Sequence, residues 1–311
     1  MHDFILHHYD ASPFAEKIRT LLGHKNAHYK VVNIPIIMPK PDLVALTGGY
    51  RKTPVLQHKN HIYCDTRLMA RVIDEQFPTQ NIFPPELSLT ANTMAQWADQ
   101  HLFFVAVAVA FSPAGYEAFC QRVPEKFVEA FVNDRGKMRE GASGIAIEAN
   151  TALELLPIYL NQMEQQLKNS GPYVCGKQIS IADFSIYHCL WFINNNPGVS
   201  ALLDGYEKLN QWFETIKAIG HGTQTGIDAT AAIEIAQSSE KVLFSNDNFL
   251  VVNGFAFGDR VAIIPTDISF IPVTGELIVS KNDEIAVKRS DEKAGEVYVH
   301  FPRVGYKIVS A

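Results

Sequence analysis

The stretch 4–22, FILHHYDASPFAEKIRTLL, decides how this chain is read. Phe4–Tyr9 is short, apolar and aromatic, and reads as a strand. Ser12 then stands where a helix N-cap belongs, and Pro13 brings the first helical position with its φ already set. Phe14, Ile18, Leu21 and Leu22 recur at the spacing of one helix face. A strand that runs into a capped helix puts unpaired N–H groups and a partial positive charge at the strand's end.

Working outward, Tyr29–Ile34 reads as a second strand. Pro54–Gln57 and Ile62–Cys64 flank the turn HKNH and read as a hairpin. Thr66–Gln76 is helical and Pro78 stops it. The order to residue 80 is β-α-β, a loop or helix, then β-β-α. Residues 78–90, rich in Pro and polar side chains, read as a linker. From there to about 219 the pattern is helical, with candidates at Ala91–Phe111, Tyr116–Val132, Thr151–Asn169, Ile181–Phe192 and Tyr206–Ile219. Ser180 and Asp183 have the spacing of a capping box ahead of an apolar helix. Residues 133–150 fit no single pattern.

After Gly222 the character changes. Gly226–Ser239 reads as one more amphipathic helix. Six short β-rich runs follow: Phe249–Phe255, Arg260–Ile264, Glu276–Val279, Glu284–Lys288, Glu296–Phe301 and Tyr306–Val309. Their spacing predicts a small antiparallel barrel or sandwich. The fold class is therefore α/β, then all-α, then small all-β, over domains 1–80, 90–219 and 223–311.

Composition agrees with a packed chain of two or three domains: 311 residues, 47% hydrophobic and 19% charged. The net charge of −6 offers no basic face for nucleic acid. Cys64, Cys120, Cys175 and Cys189 form no C-x-x-C pair, so neither a disulfide scaffold nor a zinc ribbon is expected. His7 and His8 alternate across a strand and are poorly placed to share a metal. The N-terminus does not read as a signal peptide, and the longest apolar run, Leu102–Phe111, is too short to span a bilayer. A cytoplasmic protein without membrane or metal is the expectation.

Taken together, Ser12-Pro13-Phe14 at a helix start, Thr53-Pro54 before the hairpin and Asp65-Thr66 after it resemble the thioredoxin-fold half of the glutathione S-transferase family. The GKQISIAD segment (176–183) resembles that family's capping-box segment in the all-helical half. The resemblance covers about 1–219 and leaves the tail aside.

The resemblance implies glutathione as co-substrate, held with its sulfur as a thiolate. A free thiol has a pKa of about 8.5, so near neutrality it is mostly protonated. A hydroxyl donating to the sulfur at a helix N-terminus is worth about 1.5–3 kcal/mol, or roughly one to two pKa units. Ser12 sits where that donor belongs, with a second reading as a plain N-cap. Tyr9, at the end of the first strand, is the rival donor. Phe14 belongs to the same segment.

Thr53-Pro54 resembles the family's cis-proline step, whose backbone pairs with that of glutathione. Asp65-Thr66 takes the place of the family's Glu-Ser pair: the carboxylate for the γ-glutamyl ammonium, the hydroxyl and N–H for its carboxylate. Asp is one methylene shorter than Glu. Lys40, Arg51 and Lys52 are the cations available for the glycyl carboxylate, and Arg51 is preferred. Cys64 reads as a buried strand-end thiol, Asp183 as a structural cap, and His58 and His61 as surface histidines.

The second substrate's pocket is expected beside His101, Phe103, Phe104, Phe111 and Tyr116. The stripe Phe104, Ala108, Phe111 reads first as core. The implied enzyme adds the thiolate to a small hydrophobic electrophile and is a homodimer. Its alternatives are a glutathione-dependent isomerase, dehalogenase or ether-cleaving enzyme, or a non-catalytic binding or assembly protein of the same fold. The run His300-Phe301-Pro302-Arg303 has no reading from sequence.

Overall fold

The computed structural model describes residues 3–143, 146–247, 249–251 and 253–311. The first unit runs β1 (Phe4–His8), α1 (Pro13–His24), β2 (His28–Asn33), α2 (Pro41–Thr47), β3 (Val55–His58), β4 (His61–Cys64) and α3 (Thr66–Gln76). β1 pairs parallel with β2 and antiparallel with β3, which turns back into β4. α1 starts as the sequence predicts: the Ser12 side chain accepts from the Ala15 N–H, and Pro13 opens the helix. The ammonium of the buried Lys25 bonds Asp74 and the carbonyls of Phe77, Thr79 and Gln80, which ties α1 to the end of α3.

The helical unit begins with α4 (Ser88–Trp97), a wide π turn at Ala98–Leu102, and α5 (Phe103–Ala110). The sequence predicts one helix here; the π turn interrupts it. The second predicted helix, 116–132, is two: α6 (Pro113–Cys120) and α7 (Glu125–Arg139). Pro124 separates them, because a proline cannot supply the N–H that would continue α6. α8 (Ala149–Ser170), α9 (Ile181–Asn194) and α10 (Glu207–Lys217) complete the layer. The capping box forms at α9, and Asp183 also accepts from the Val174 N–H and the Trp212 indole.

The tail holds β5 (Thr223–Gly226), α11 (Ala229–Gln237), β6 (Arg260–Pro265), β7 (Val273–Ser280), β8 (Glu284–Asp291), β9 (Gly295–Pro302) and β10 (Tyr306–Ser310). Its antiparallel strands are present, but they do not close into a barrel or sandwich of their own. They extend the first unit's sheet to ten strands, in the order β10-β6-β7-β8-β9-β4-β3-β1-β2-β5. The joint is β4 against β9, parallel, with Ile62 opposite Val299. An open strand edge is a row of unpaired donors and acceptors, and β9 satisfies the edge of β4. One core runs through the joint, with Val55, Ile62 and Cys64 packed together with Val287, Val299 and Phe301, and with Ala232 and Ala236 of α11.

Two differences in the tail have local causes. The run 249–255 forms no strand in its described residues (Val252 lies outside them), and Asn253-Gly254 turns there with positive φ. β5, polar and exposed along its length, shows no strand pattern in sequence yet pairs with β2. Among the described residues no single helix is long and apolar enough to cross a membrane.

Candidate functional site

A cleft of about 1650 Å³ opens between the first unit and the helical layer. Every residue the sequence nominates lies on its wall: Tyr9, Ser12, Phe14, Arg51, Thr53, Pro54, Asp65 and Thr66, with Lys40 and Lys52. Most come from the ends of β1 and β4, the approach to β3 and the first turns of α1 and α3; β3 runs antiparallel to both β1 and β4, so these points meet at one edge of the sheet.

Ser12 is 2% exposed. Its Oγ accepts from Ala15 N–H at 3.2 Å and its own N–H donates to the Tyr9 carbonyl. A hydroxyl has two lone pairs and one proton. The cap occupies an acceptor position and leaves the proton to donate. The two readings of Ser12 are therefore compatible. Pro13 has no N–H and that of Ala15 is occupied, which leaves the Phe14 N–H as the α1 dipole's donor toward the cleft. The Phe14 ring lies 4.6 Å from those of Phe103 and His188, fixing the helix start against the helical layer. The Tyr9 hydroxyl accepts from Arg135 at 3.3 Å, which leaves its proton to donate as well, and the Lys40 ammonium lies 5.6 Å from its ring, so Tyr9 stays the rival donor.

The Thr53–Pro54 peptide is cis, as the resemblance implies; a second cis peptide, Met38–Pro39, has no sequence signal. The three cations divide by partner. Arg51 is nearly buried and pairs with Asp134 at 2.7 Å. Lys52 pairs with Asp267 at 2.5 Å. Lys40 donates to the neutral hydroxyl of Thr53 at 3.1 Å. Burial, with Arg135 and Arg51 nearby, lowers its pKa to about 8. A cation without a carboxylate partner on a cleft wall is available to one from a ligand, so the geometry shifts the preference from Arg51 to Lys40.

Asp65 caps α3 from an unusual backbone position, φ 73° and ψ 129°. A non-glycine residue held there costs of order 1–3 kcal/mol and marks functional positions. Its Oδ1 accepts from Arg67 N–H at 2.9 Å, and its Oδ2 accepts from the Tyr306 hydroxyl at 3.1 Å. The adjacent Thr66 Oγ1 accepts from Lys17 at 3.4 Å. Cys64 is fully buried, and burial and the Asp65 carboxylate push its thiol well above the ordinary range, so it stays protonated.

Several wall residues were not legible in sequence. Asp99, in the π turn, bonds the buried Lys17 at 2.6 Å and His188 at 3.0 Å. Burial alone would raise its pKa; the Lys17 ammonium and His188 hold it well below the usual carboxylate range. From the tail come Thr266, Asp267, Ile268, Val304 and Gly305. No periodicity links any of these to the N-terminal motif.

The second half of the cleft is aromatic. Phe103, Phe104, Phe111 and Tyr116 line it as predicted, together with Phe131 and Phe192. Phe104, Ala108 and Phe111 line the cleft, Ala108 packing against the helical core as well, and the π turn just before α5 sets the face they present. Among the described residues no group of three or more His, Cys, Asp or Glu is placed to hold a metal ion.

Comparisons with known proteins bear on the whole chain. A family model described as glutathione S-transferase, N-terminal domain, matches residues 6–81, and one described as glutathione S-transferase, C-terminal domain, matches residues 124–221. A crystallised GST-like protein from Pseudomonas syringae is 36% identical, covers 100% of both chains and superposes with a TM-score of 0.83. Glutathione S-transferase U4 of Arabidopsis thaliana is 26% identical over 153 residues, 48% of this chain and 68% of its own. The beta-etherase LigF from Sphingobium sp. strain SYK-6 shares the fold at 14% identity and a TM-score of 0.53, over 70% of this chain and 96% of its own. The Pseudomonas match spans the whole chain, the β-tail included; the LigF match covers 70% of it.

Proposed function

Because the chain belongs to the glutathione S-transferase family, we propose that it is an enzyme that binds glutathione, holds its sulfur as a thiolate on Ser12 and adds it to a small hydrophobic electrophile. The observation that carries this is the Ser12 hydroxyl, on the cleft wall at the start of α1, with one lone pair occupied by Ala15 N–H and its proton unclaimed among the described residues.

In this reading the γ-glutamyl ammonium pairs with Asp65, and its carboxylate takes the Thr66 hydroxyl and N–H. The cysteinyl backbone lies along Thr53 beside Pro54, and Lys40 takes the glycyl carboxylate. The sulfur then meets the Ser12 O–H and the Phe14 N–H. Both donors favour the charged form, so the bound thiol ionises nearer to neutrality. Fixed dipoles that need no reorganisation hold the negative charge on the sulfur until it passes to the electrophile as the carbon–sulfur bond forms. The aromatic half of the cleft holds the electrophile against the sulfur and excludes water. A homodimer is part of the same proposal.

Glutathione-dependent isomerisation, dehalogenation and ether cleavage need the same thiolate, and product analysis separates them from addition. Calorimetric titration with glutathione, with thiolate absorbance followed in parallel, tests the proposal. Wild type binds in the micromolar to low-millimolar range with a thiolate signal, and Ser12→Ala binds without it. A thiolate signal unchanged in Ser12→Ala moves the donor to Tyr9. No binding by wild type overturns the enzyme reading and leaves the fold as a binding or assembly platform.

A further inference from the structure

We propose that the C-terminal β-region completes the glutathione site, with Tyr306 as a positioning residue that holds the Asp65 carboxylate; this rests on the reading of Asp65 as the γ-glutamyl ligand.

Tyr306 opens β10, 241 residues from Asp65, and its hydroxyl lies 3.1 Å from Asp65 Oδ2 and 3.2 Å from the Tyr50 hydroxyl. An ionised carboxylate only accepts. The Tyr306 proton therefore goes to Asp65, and the Tyr50 hydroxyl donates to the Tyr306 oxygen. Both phenols are buried, and burial with the Asp65 charge beside them keeps them protonated, hence donors. Their rings are seated on Phe301, at centroid distances of 5.9 and 5.2 Å. The donor is thus anchored in the core that the tail shares with the first unit.

The effect on Asp65 is specific. One oxygen is held from its own helix by Arg67 N–H, the other from the tail by Tyr306. Each oxygen keeps a lone pair for a ligand ammonium, but the carboxylate no longer rotates. Asp, shorter than the family's Glu, gains an external support in place of reach. The same part of the tail also forms cleft wall: Gly305 accepts from Thr266 N–H at 2.9 Å, and the neighbouring Asp267 takes Lys52.

Glutathione titration of the full chain tests this by a double-mutant cycle. Tyr306→Phe keeps the ring and its packing; it weakens glutathione about tenfold, the scale of one hydrogen bond to a charged acceptor, and leaves the pKa of the bound thiol unchanged. In an Asp65→Asn background the same substitution costs less than about twofold, because its acceptor's charge is already gone. Equal affinity in Tyr306→Phe and wild type, with Asp65→Asn weakened, overturns the coupling and leaves Asp65 as a ligand. No glutathione binding by wild type, or full affinity in Asp65→Asn, overturns the reading of Asp65 and the coupling with it. A joint loss of affinity and of the thiol pKa shift in Tyr306→Phe indicates general damage and also overturns it. The unsubstituted chain gives a second readout. Saturating glutathione slows amide hydrogen exchange across Tyr306–Ser310; protection at Asp65–Leu68 with none in β10 counts against the proposal.

Discussion

His61 Nδ1 lies 2.9 Å from His300 Nε2, across the parallel pair of strands that joins the tail to the rest of the sheet. The other nitrogen of His300 lies 2.6 Å from Glu284, and a carboxylate accepts, so His300 Nδ1 donates. In a neutral pair, His61 N–H then donates to His300. Adding a proton to both rings would set two donors face to face. The histidine of the HFPR run, unread in sequence, is therefore part of the joint.

Acid should weaken the fold through this joint and two other histidines. Burial lowers His61 to about 4; burial likewise lowers His7 and His8 to about 4, from an ordinary 6.5. Between those values the unfolded chain binds protons that the folded chain does not. Stability therefore rises with pH in that window and is lost as pH falls from 6.5 toward 4. The buried His7 and His8 contribute up to about 1.4 kcal/mol per pH unit each, and the half-buried His61 less. Thermal melts across this window in wild type and His61→Phe check it; an identical slope in the variant sinks the role of His61.

Affinity for the glycyl end should fall as pH rises past about 8, where Lys40 loses its proton in the free protein. A bound carboxylate favours charged Lys40, so above that value binding takes up a proton and Kd rises, by at most about tenfold per unit. S-methylglutathione is the probe, since it has no thiol to titrate. Lys40→Arg stays charged and should remove the inflection near 8. An inflection that persists there assigns it to another group.

Asp183→Ala should destabilise the chain by about 4 kcal/mol, because it strands several buried donors at once. Asp183 accepts from the Val174 and Ser180 N–H groups, the Ser180 hydroxyl and the Trp212 indole. Urea titration reads the loss. A change below about 1 kcal/mol would mean the network is replaceable by water.

Removing residues 225–311 should yield aggregated protein. The deletion bares the edge of β4 and the face of Ile5, Val55 and Ile62 that the tail covers. Size-exclusion chromatography is the check, and a soluble, fully active truncation overturns the prediction.

What the sequence determined by itself is local. Ser12-Pro13 starts α1, Asp65 caps α3, Ser180 and Asp183 box α9, and five of the six short β-rich runs mark strands of the tail. Each is written within a few residues, because helix and strand periods and cap hydrogen bonds act over one turn. The candidate-site motif was legible for the same reason, as residues at the ends of those local elements.

Tertiary structure alone decided the rest. Asp134 neutralises Arg51 from 83 residues away and so leaves Lys40 as the open cation. The π turn aims Phe104 and Phe111 into the cleft. The tail pairs with β4 instead of closing on itself, and brings Tyr306 to Asp65. Strand alternation states which face is buried but not which edge is the partner, since any exposed edge offers the same backbone donors and acceptors. The choice is made by side chains far apart in sequence: Val299 against Ile62, His300 against His61, Phe301 against Tyr50.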